Sequence, residues 1–212
     1  MTIAVIDYGM GNLRSVARAL LEVGARDVVV TDDPAQVAGA ERVVFPGQGA
    51  VRDCMSALHQ HELIDGLSQA IATRPFLGIC MGMQALMTRS EENQGVEALG
   101  HFAGRVRHFG ALTANRTGLK IPHMGWNQVK QSRPHPLWRG IADGERFYFV
   151  HSYFVEPEQA DITLGTSEYG AEFAAAIGAE NVVATQFHPE KSQQPGLRLL
   201  ENFLSWDGNG CS

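Results

Sequence analysis

The sequence predicts an α/β fold with a mostly parallel central sheet, flanked by helices and extended by a smaller antiparallel addition. Three observations predict it. Short apolar runs of strand length alternate with helical periodicity from the N-terminus to about residue 80. From about residue 100 onward, strand-like segments follow one another without long helices between them. No Pro/Gly-rich linker, repeat or low-complexity stretch divides the 212 residues, so 1–212 is expected to be a single domain.

The elements follow in order. Residues 3 to 6 are an apolar run ending in Asp7-Tyr8-Gly9. Leu13, Val16, Ala17, Leu20 and Leu21 then recur at helical spacing until Gly24. Asp27 to Thr31 gives a second buried strand, Arg42 to Phe45 a third and Phe76 to Ile79 a fourth. A helical pattern of Leu63, Ile64, Leu67 and Ile71 precedes Pro75. Strands separated by helices imply right-handed crossovers and a parallel sheet covered on both faces. Arg105 to Phe109, Gln128 to Lys130, Phe147 to Phe154 and Ile162 to Thr166 read as the antiparallel part. Asn181 to Phe187 returns to a buried-strand pattern, and Leu197, Leu199, Leu200 and Phe203 mark a closing helix.

Composition narrows the function classes. With 17 Lys plus Arg against 23 Asp plus Glu, a net charge of −6 and no basic run, the chain lacks the face that a phosphate backbone demands, so no nucleic-acid partner is expected. No stretch approaches the roughly 18 apolar residues of a membrane helix, and the N-terminus reads as a first strand instead of a leader. Cys54, Cys80 and Cys211 are an odd number, which argues for free thiols in a reduced compartment. A soluble cytoplasmic protein is the expectation.

The sharpest local signal is Phe76-Leu77-Gly78-Ile79-Cys80-Met81-Gly82-Met83-Gln84, an apolar strand running through Gly-x-Cys-x-Gly into a helical segment. It has the form of a nucleophile elbow with Cys in place of Ser. Such a turn is strained and its flanking backbones approach closely, so small residues are needed two positions before and after the nucleophile, where Gly78 and Gly82 stand. A helix starting at the Cys would favour its thiolate. A lone Cys is more often a buried structural residue; spacing and placement single out Cys80, whereas Cys54 and Cys211 receive no role.

A thiolate nucleophile needs a base held in one tautomer. Of eight histidines, His188 in Phe187-His188-Pro189-Glu190 is the best placed. It follows a buried strand, where a parallel sheet presents functional residues at its carboxyl edge, and Glu190 is near enough to orient it. Taken alone His-Pro-Glu is equally a surface turn; with Cys80 it completes a Cys-His-Glu triad. Pro46-Gly47-Gln48-Gly49, at the end of the third strand, offers backbone amides to an oxyanion. Gly9-Met10-Gly11 resembles the start of a dinucleotide fingerprint, but position 14 is Arg, and neither Cys-x-x-Cys nor His-Glu-x-x-His is present. No cofactor or metal is expected, and His59 with His61 reads as an exposed helical turn.

Together these motifs resemble the class I, triad-type glutamine amidotransferases. Asp7-Tyr8-Gly9-Met10-Gly11-Asn12-Leu13, Ile121-Pro122-His123-Met124-Gly125-Trp126-Asn127, Tyr148-Phe149-Val150-His151-Ser152-Tyr153 and His188-Pro189-Glu190-Lys191-Ser192 further resemble the glutaminase subunits of imidazole glycerol phosphate synthases. The resemblance covers nearly the whole chain and implies a flavodoxin-like sandwich. It implies that Cys80 attacks the carboxamide of glutamine, His188 moves the proton and Glu190 orients His188. Amides near Gly47, Gln48 and Met81 would hold the oxyanion, and Gly47, Gln84, Ser152 and Tyr153 would bind substrate. Ammonia would pass through a tunnel to a separate (β/α)8-barrel cyclase subunit in a 1:1 heterodimer, forming imidazole glycerol phosphate and AICAR in histidine biosynthesis. A chain of this length has no room for that second domain, so a partner in trans is expected. Asn12, Trp126, Tyr148 and Lys191 match the docking face. Two departures stand out: Gln48 where many relatives carry Val, and Met81 where Leu usually follows the nucleophile. Other acceptors, as in anthranilate or pyridoxal phosphate synthesis, a thioesterase or cysteine peptidase, and a non-catalytic docking subunit are the competing readings.

Overall fold

A computed structural model describes residues 1–110 and 119–209; Cys211 lies outside them. The N-terminal part runs β1 (Thr2–Ile6), α1 (Leu13–Glu22), β2 (Asp27–Thr31), α2 (Pro34–Gly39), β3 (Arg42–Gly47), α3 (Val51–Gln60), α4 (Leu63–Thr73), β4 (Phe76–Cys80) and α5 (Met81–Ala85). It continues through β5 (Met87–Ser90), β6 (Val96–Glu97), β7 (Phe102–His108), β8 (His123–Gln131), β9 (Glu145–His151), β10 (Tyr153–Pro157), β11 (Thr163–Glu168), β12 (Glu172–Ala179) and β13 (Val182–Thr185) to α6 (Gln193–Ser205). No helix among the described residues is long and apolar enough to cross a membrane.

The main sheet has nine strands in the order β2-β1-β3-β4-β13-β12-β11-β8-β9. The first five are parallel, and from β13 onward the neighbours are antiparallel. β13 is therefore the strand on which the two grammars of the sequence meet. A second sheet, β10-β7-β5-β6, is smaller.

Side-chain alternation builds the core. Ile3 and Val5 of β1 enter one buried cluster with Leu20, Leu77, Leu199 and Phe203. Ala4 and Ile6 enter the other, with Phe45, Leu58, Leu67 and Phe76. This is the period of two expected for a sheet with a layer on each face. Two helix starts carry side-chain caps: Asn12 accepts from the Ser15 amide at 3.3 Å, and Asp33, before Pro34, accepts from the Ala35 amide at 2.9 Å.

Three sequence expectations change. Phe147 to Phe154 is not one strand. Phe147, Phe149 and His151 are buried alternately, then the alternation slips at Ser152 and Phe154 and Val155 are both buried, so β9 and β10 belong to different sheets. β8 is nine residues long, not the three of Gln128 to Lys130, because the polar segment before it also pairs with β9. Cys54, which the sequence places in a loop-to-helix region, lies inside α3 and is fully buried. Three strands are additions to the sequence reading: the short β5 and β6, and β12, whose Glu-Phe-Ala-Ala-Ala-Ile-Gly-Ala has a composition poor in strand formers and which pairing with β11 and β13 makes a strand.

Candidate active site

β3, β4 and β13 deliver their carboxyl ends to one edge of the sheet. Register pairs Gly47 with Cys80 and Thr185 with Ile79, so the Gly-rich turn, the elbow and the segment leading to His188 emerge side by side. Cys80 is the last residue of β4 and takes φ 53° and ψ −99°, a left-handed φ that non-glycine residues adopt at a cost of about 1–3 kcal/mol. The two glycines are forced by crowding: a β-carbon on Gly82 would collide with the Phe45 carbonyl, and one on Gly78 would lie 3.0 Å from the Gly82 carbonyl carbon. Gly47 is equally confined, between the Tyr8 hydroxyl and the Met81 side chain. The helix after Cys80 is only five residues long. It is shorter than the helical pattern suggested, so the dipole expected to favour the thiolate is that of little more than one turn.

His188 is fixed through its backbone. Its amide donates to the Tyr148 carbonyl at 2.9 Å, its carbonyl accepts from the Ser192 hydroxyl at 2.6 Å, and the Tyr148 amide donates to that hydroxyl at 3.0 Å. Its Nδ1 lies 2.9 Å from Glu190 Oε1, with the His188 side chain 7% exposed and that of Glu190 2%. A carboxylate accepts only, so Nδ1 carries the proton of that bond. Nε2 is buried with no oxygen or nitrogen partner among the described residues, and Cys80 is the group that acts on it most strongly. Burial disfavours the imidazolium, but Cys80 and Glu190 outweigh it and push His188 up to about 10.

Cys80 and His188 line a cavity of about 320 Å³ that Gln48, Met81, Gln84, Ser152 and Tyr153 also line. The structure thus gathers Cys80 and His188, two of the three residues expected at the oxyanion and three of the four expected to bind substrate around one space; Gly47 stands beside it as the register partner of Cys80. Glu92 and His151 line the same cavity and were not anticipated. Glu92 is the only carboxylate lining it among the described residues, and its Oε2 accepts from the Val51 amide at 2.8 Å. No motif announces it; it comes from a loop between short strands. His151 does not compete with His188 as a base: burial pushes it down to about 3, and its Nδ1 is 2.7 Å from the Tyr153 carbonyl.

The four docking candidates group on the surface near this edge. Trp126 of β8 and Tyr148 of β9 are register partners with rings 6.1 Å apart, and Lys191 Nζ lies 6.0 Å over the Tyr148 ring. Trp126 is 44% and its neighbour on the same face, Met124, 62% exposed. Asn12 is exposed at the start of α1, and Ser15, which it caps, lines a surface hollow with Lys191. His59 is exposed on α3, and His61 at its end pairs with Asp32 at 3.3 Å.

With a Cys on a strained strand-to-helix turn opposite a His-Glu pair, the fold and site define a class, and residues 4–206 match the family model of class I glutamine amidotransferases. The chain belongs to that family. Within it, the chain is 57% identical over 209 residues to the imidazole glycerol phosphate synthase subunit HisH of Dechloromonas aromatica, covering 97% of this chain and 96% of that protein. It is 54% identical over 206 residues to the HisH subunit of Acinetobacter baylyi, covering 97% and 98%. A crystal structure of a glutamine amidotransferase shares the fold at 17% identity and a TM-score of 0.72, covering 97% of this chain and 98% of that one.

Proposed function

We propose that this chain is the glutaminase subunit of an imidazole glycerol phosphate synthase, hydrolysing glutamine to glutamate and ammonia through Cys80, His188 and Glu190. The observation that carries the reading is the strained Cys80 turn facing the buried His188–Glu190 pair at one cavity. The HisH relatives support the acceptor half of the reading.

Cys80 Sγ attacks the carboxamide carbon of glutamine, and the carbonyl oxygen becomes an oxyanion held by amides of the Gly47-Gln48 turn and of Met81. The carbon–nitrogen bond then breaks. His188 Nε2 gives its proton to the departing nitrogen, ammonia leaves, and a γ-glutamyl thioester remains on Cys80. Water attacks the thioester and gives a proton to His188, the carbon–sulfur bond breaks, and glutamate leaves. Glu190 keeps the imidazole in the tautomer with Nδ1–H, and its charge favours the imidazolium that each half-reaction needs. The substrate ammonium group faces Glu92, whose carboxylate lines the cavity. Gly47, Ser152, Tyr153 and Gln84 complete the binding surface. The Gln84 amide nitrogen is engaged within the protein, so Gln84 offers the ligand its Oε1.

Ammonia passes to a (β/α)8-barrel cyclase in a 1:1 heterodimer, docked over Asn12, Trp126, Tyr148 and Lys191. Direct transfer matters because free ammonia is protonated in neutral water and ceases to be a nucleophile. A cytoplasmic location fits a mechanism that requires Cys80 reduced. The test is glutamate release from glutamine by the chain alone and with the cyclase and its ribonucleotide substrate, with Cys80→Ala as control. Stimulation by the complex that vanishes in the variant is the expected result. Hydrolysis indifferent to the cyclase would move the acceptor elsewhere, and no hydrolysis under any condition would overturn the glutaminase reading.

A further inference from the structure

Gln186, directly after β13 and between the buried Thr185 and Phe187, is completely buried, and the mechanism above leaves it without a task. Its backbone amide extends the sheet pairing by donating to the Ala175 carbonyl at 2.8 Å, which aims its side chain from β13 toward β4. There its Nε2 lies 3.6 Å from Cys80 Sγ, and its Oε1 lies 3.2 Å from Gln84 Nε2.

A backbone carbonyl fixes the polarity of this arrangement. The Tyr153 carbonyl only accepts, so the Gln84 amide atom 3.1 Å from it is the nitrogen. The same nitrogen meets Gln186, so the facing atom of Gln186 is its oxygen, and the atom left facing Cys80 Sγ is its N–H donor. Turning the Gln186 amide over would set nitrogen against nitrogen and oxygen against sulfur in a fully buried site.

The carbonyl at the head of this chain is itself held. His151 Nδ1 lies 2.7 Å from it, which makes Nδ1 the protonated nitrogen and Nε2 an acceptor. His123 Nδ1 therefore donates to His151 Nε2 at 2.9 Å. Asn127 Nδ2 meets the remaining His123 nitrogen at 3.3 Å and the Glu168 carbonyl at 2.8 Å. Burial pushes His123 down to about 4 and His151 to about 3, so both rings stay neutral and every proton of the chain has one place.

We propose that Gln186 is a further catalytic residue: its Nε2–H group donates to Cys80 Sγ and stabilises the thiolate, in an orientation that Gln84 and the Tyr153 carbonyl enforce. This rests on the reading of Cys80 as the nucleophile. A thiol is a poor acceptor and a thiolate a good one, so a fixed N–H at this distance favours the charged form. The five-residue α5 leaves room for such a donor, because a helix of little more than one turn supplies a weak field. The titratable groups that act at Cys80 are His188 and Tyr8, which burial keeps neutral; Glu92 and the neutral His151 line the same cavity.

The test is the rate at which iodoacetamide alkylates Cys80 in the full chain, followed by mass spectrometry between pH 6 and 10. The variants are Gln186→Met, which keeps the length and loses the donor, and Gln186→Glu, which still accepts from Gln84 but turns an oxygen toward sulfur. The expected result at pH 7 is alkylation at least threefold slower in both, with the Gln186→Met deficit closing toward pH 10. In the complex with the cyclase, kcat for glutamine falls about tenfold while KM stays within twofold. If Gln186→Met does not fold, Gln186→Glu carries the same comparison. Alkylation within twofold of the unaltered chain at every pH, or a deficit equal at every pH, would overturn the proposal. Failure of the nucleophile reading looks different, because Cys80 of the unaltered chain would then react no faster than the buried Cys54.

Discussion

Replacing Glu190 by Gln keeps the shape of the His188 partner and removes one buried charge. The Nδ1 to Oε1 distance is 2.9 Å, which sets the charge centres about 4 Å apart; at an effective dielectric constant of about 20 their attraction is about 4 kcal/mol, or roughly 3 pH units. The new carboxamide would retain part of the hydrogen bond, so a fall of about 2 units is expected in the His188 titration, from the about 10 of the unaltered chain. The sign for stability follows. The folded value lies above the unfolded value of about 6.5, so the imidazolium stabilises the fold in full below about pH 6.5 and loses that contribution as the pH rises toward 10, on the order of 5 kcal/mol in all. The variant should lose its smaller contribution earlier, near pH 8. The assay is the 13C shift of labelled histidines against pH, with urea unfolding at pH 7 and pH 9.5. Glutamine turnover should fall about 100-fold or more, by analogy with other triads that lose their carboxylate. Identical His188 titrations in the two proteins, or identical changes of stability between pH 7 and 9.5, would refute the reasoning.

Gly82→Ala would drive a β-carbon into the Phe45 carbonyl; a destabilisation of about 1–3 kcal/mol is expected, seen as a melting temperature lowered by several degrees, and an unchanged melting temperature with full activity would count against the crowding. Gln48, exposed beside the cavity, is expected to set the basal glutaminase rate of the isolated chain while leaving the coupled reaction intact; equal basal rates in Gln48→Val and the unaltered chain would remove that role. Trp126→Ala should weaken association with the cyclase at least tenfold, about 1.4 kcal/mol or more, in a calorimetric titration, and an unchanged Kd would move the docking face away from β8.

How much was legible follows from what each residue answers to. β1 and β4 were readable because buried parallel strands are continuous apolar runs; β2 shows the same Val-rich run but is the half-exposed edge strand and not the buried one expected, and Cys80 was readable because its strained turn forces two glycines at fixed spacing. β12 was not, since Ala-rich sequence becomes a strand only through its neighbours. The break at Ser152 was hidden for a similar reason: β-branched and aromatic residues run across it, and only the slip in burial separates the two sheets. Glu92 and His151 reached the cavity by tertiary placement alone. Gln186 did leave a trace, a long polar side chain in the buried-strand pattern of Asn181 to Phe187, and its meaning needed the carbonyl of Tyr153 to fix which end of the amide faces sulfur.

β13 follows every other strand of the main sheet in the chain and yet lies in its middle, between β4 and β12. A sheet built this way stays divided until its C-terminal portion arrives. During synthesis Cys80 is made about half a chain length before His188, and until β13 inserts it has neither the imidazole nor Gln186 beside it. On the proposed mechanism, a nascent or truncated chain therefore carries Cys80 without the groups that activate it. Reactivity toward glutamine then waits for the completion of folding itself, with the insertion of the central strand as the last step that assembles the site.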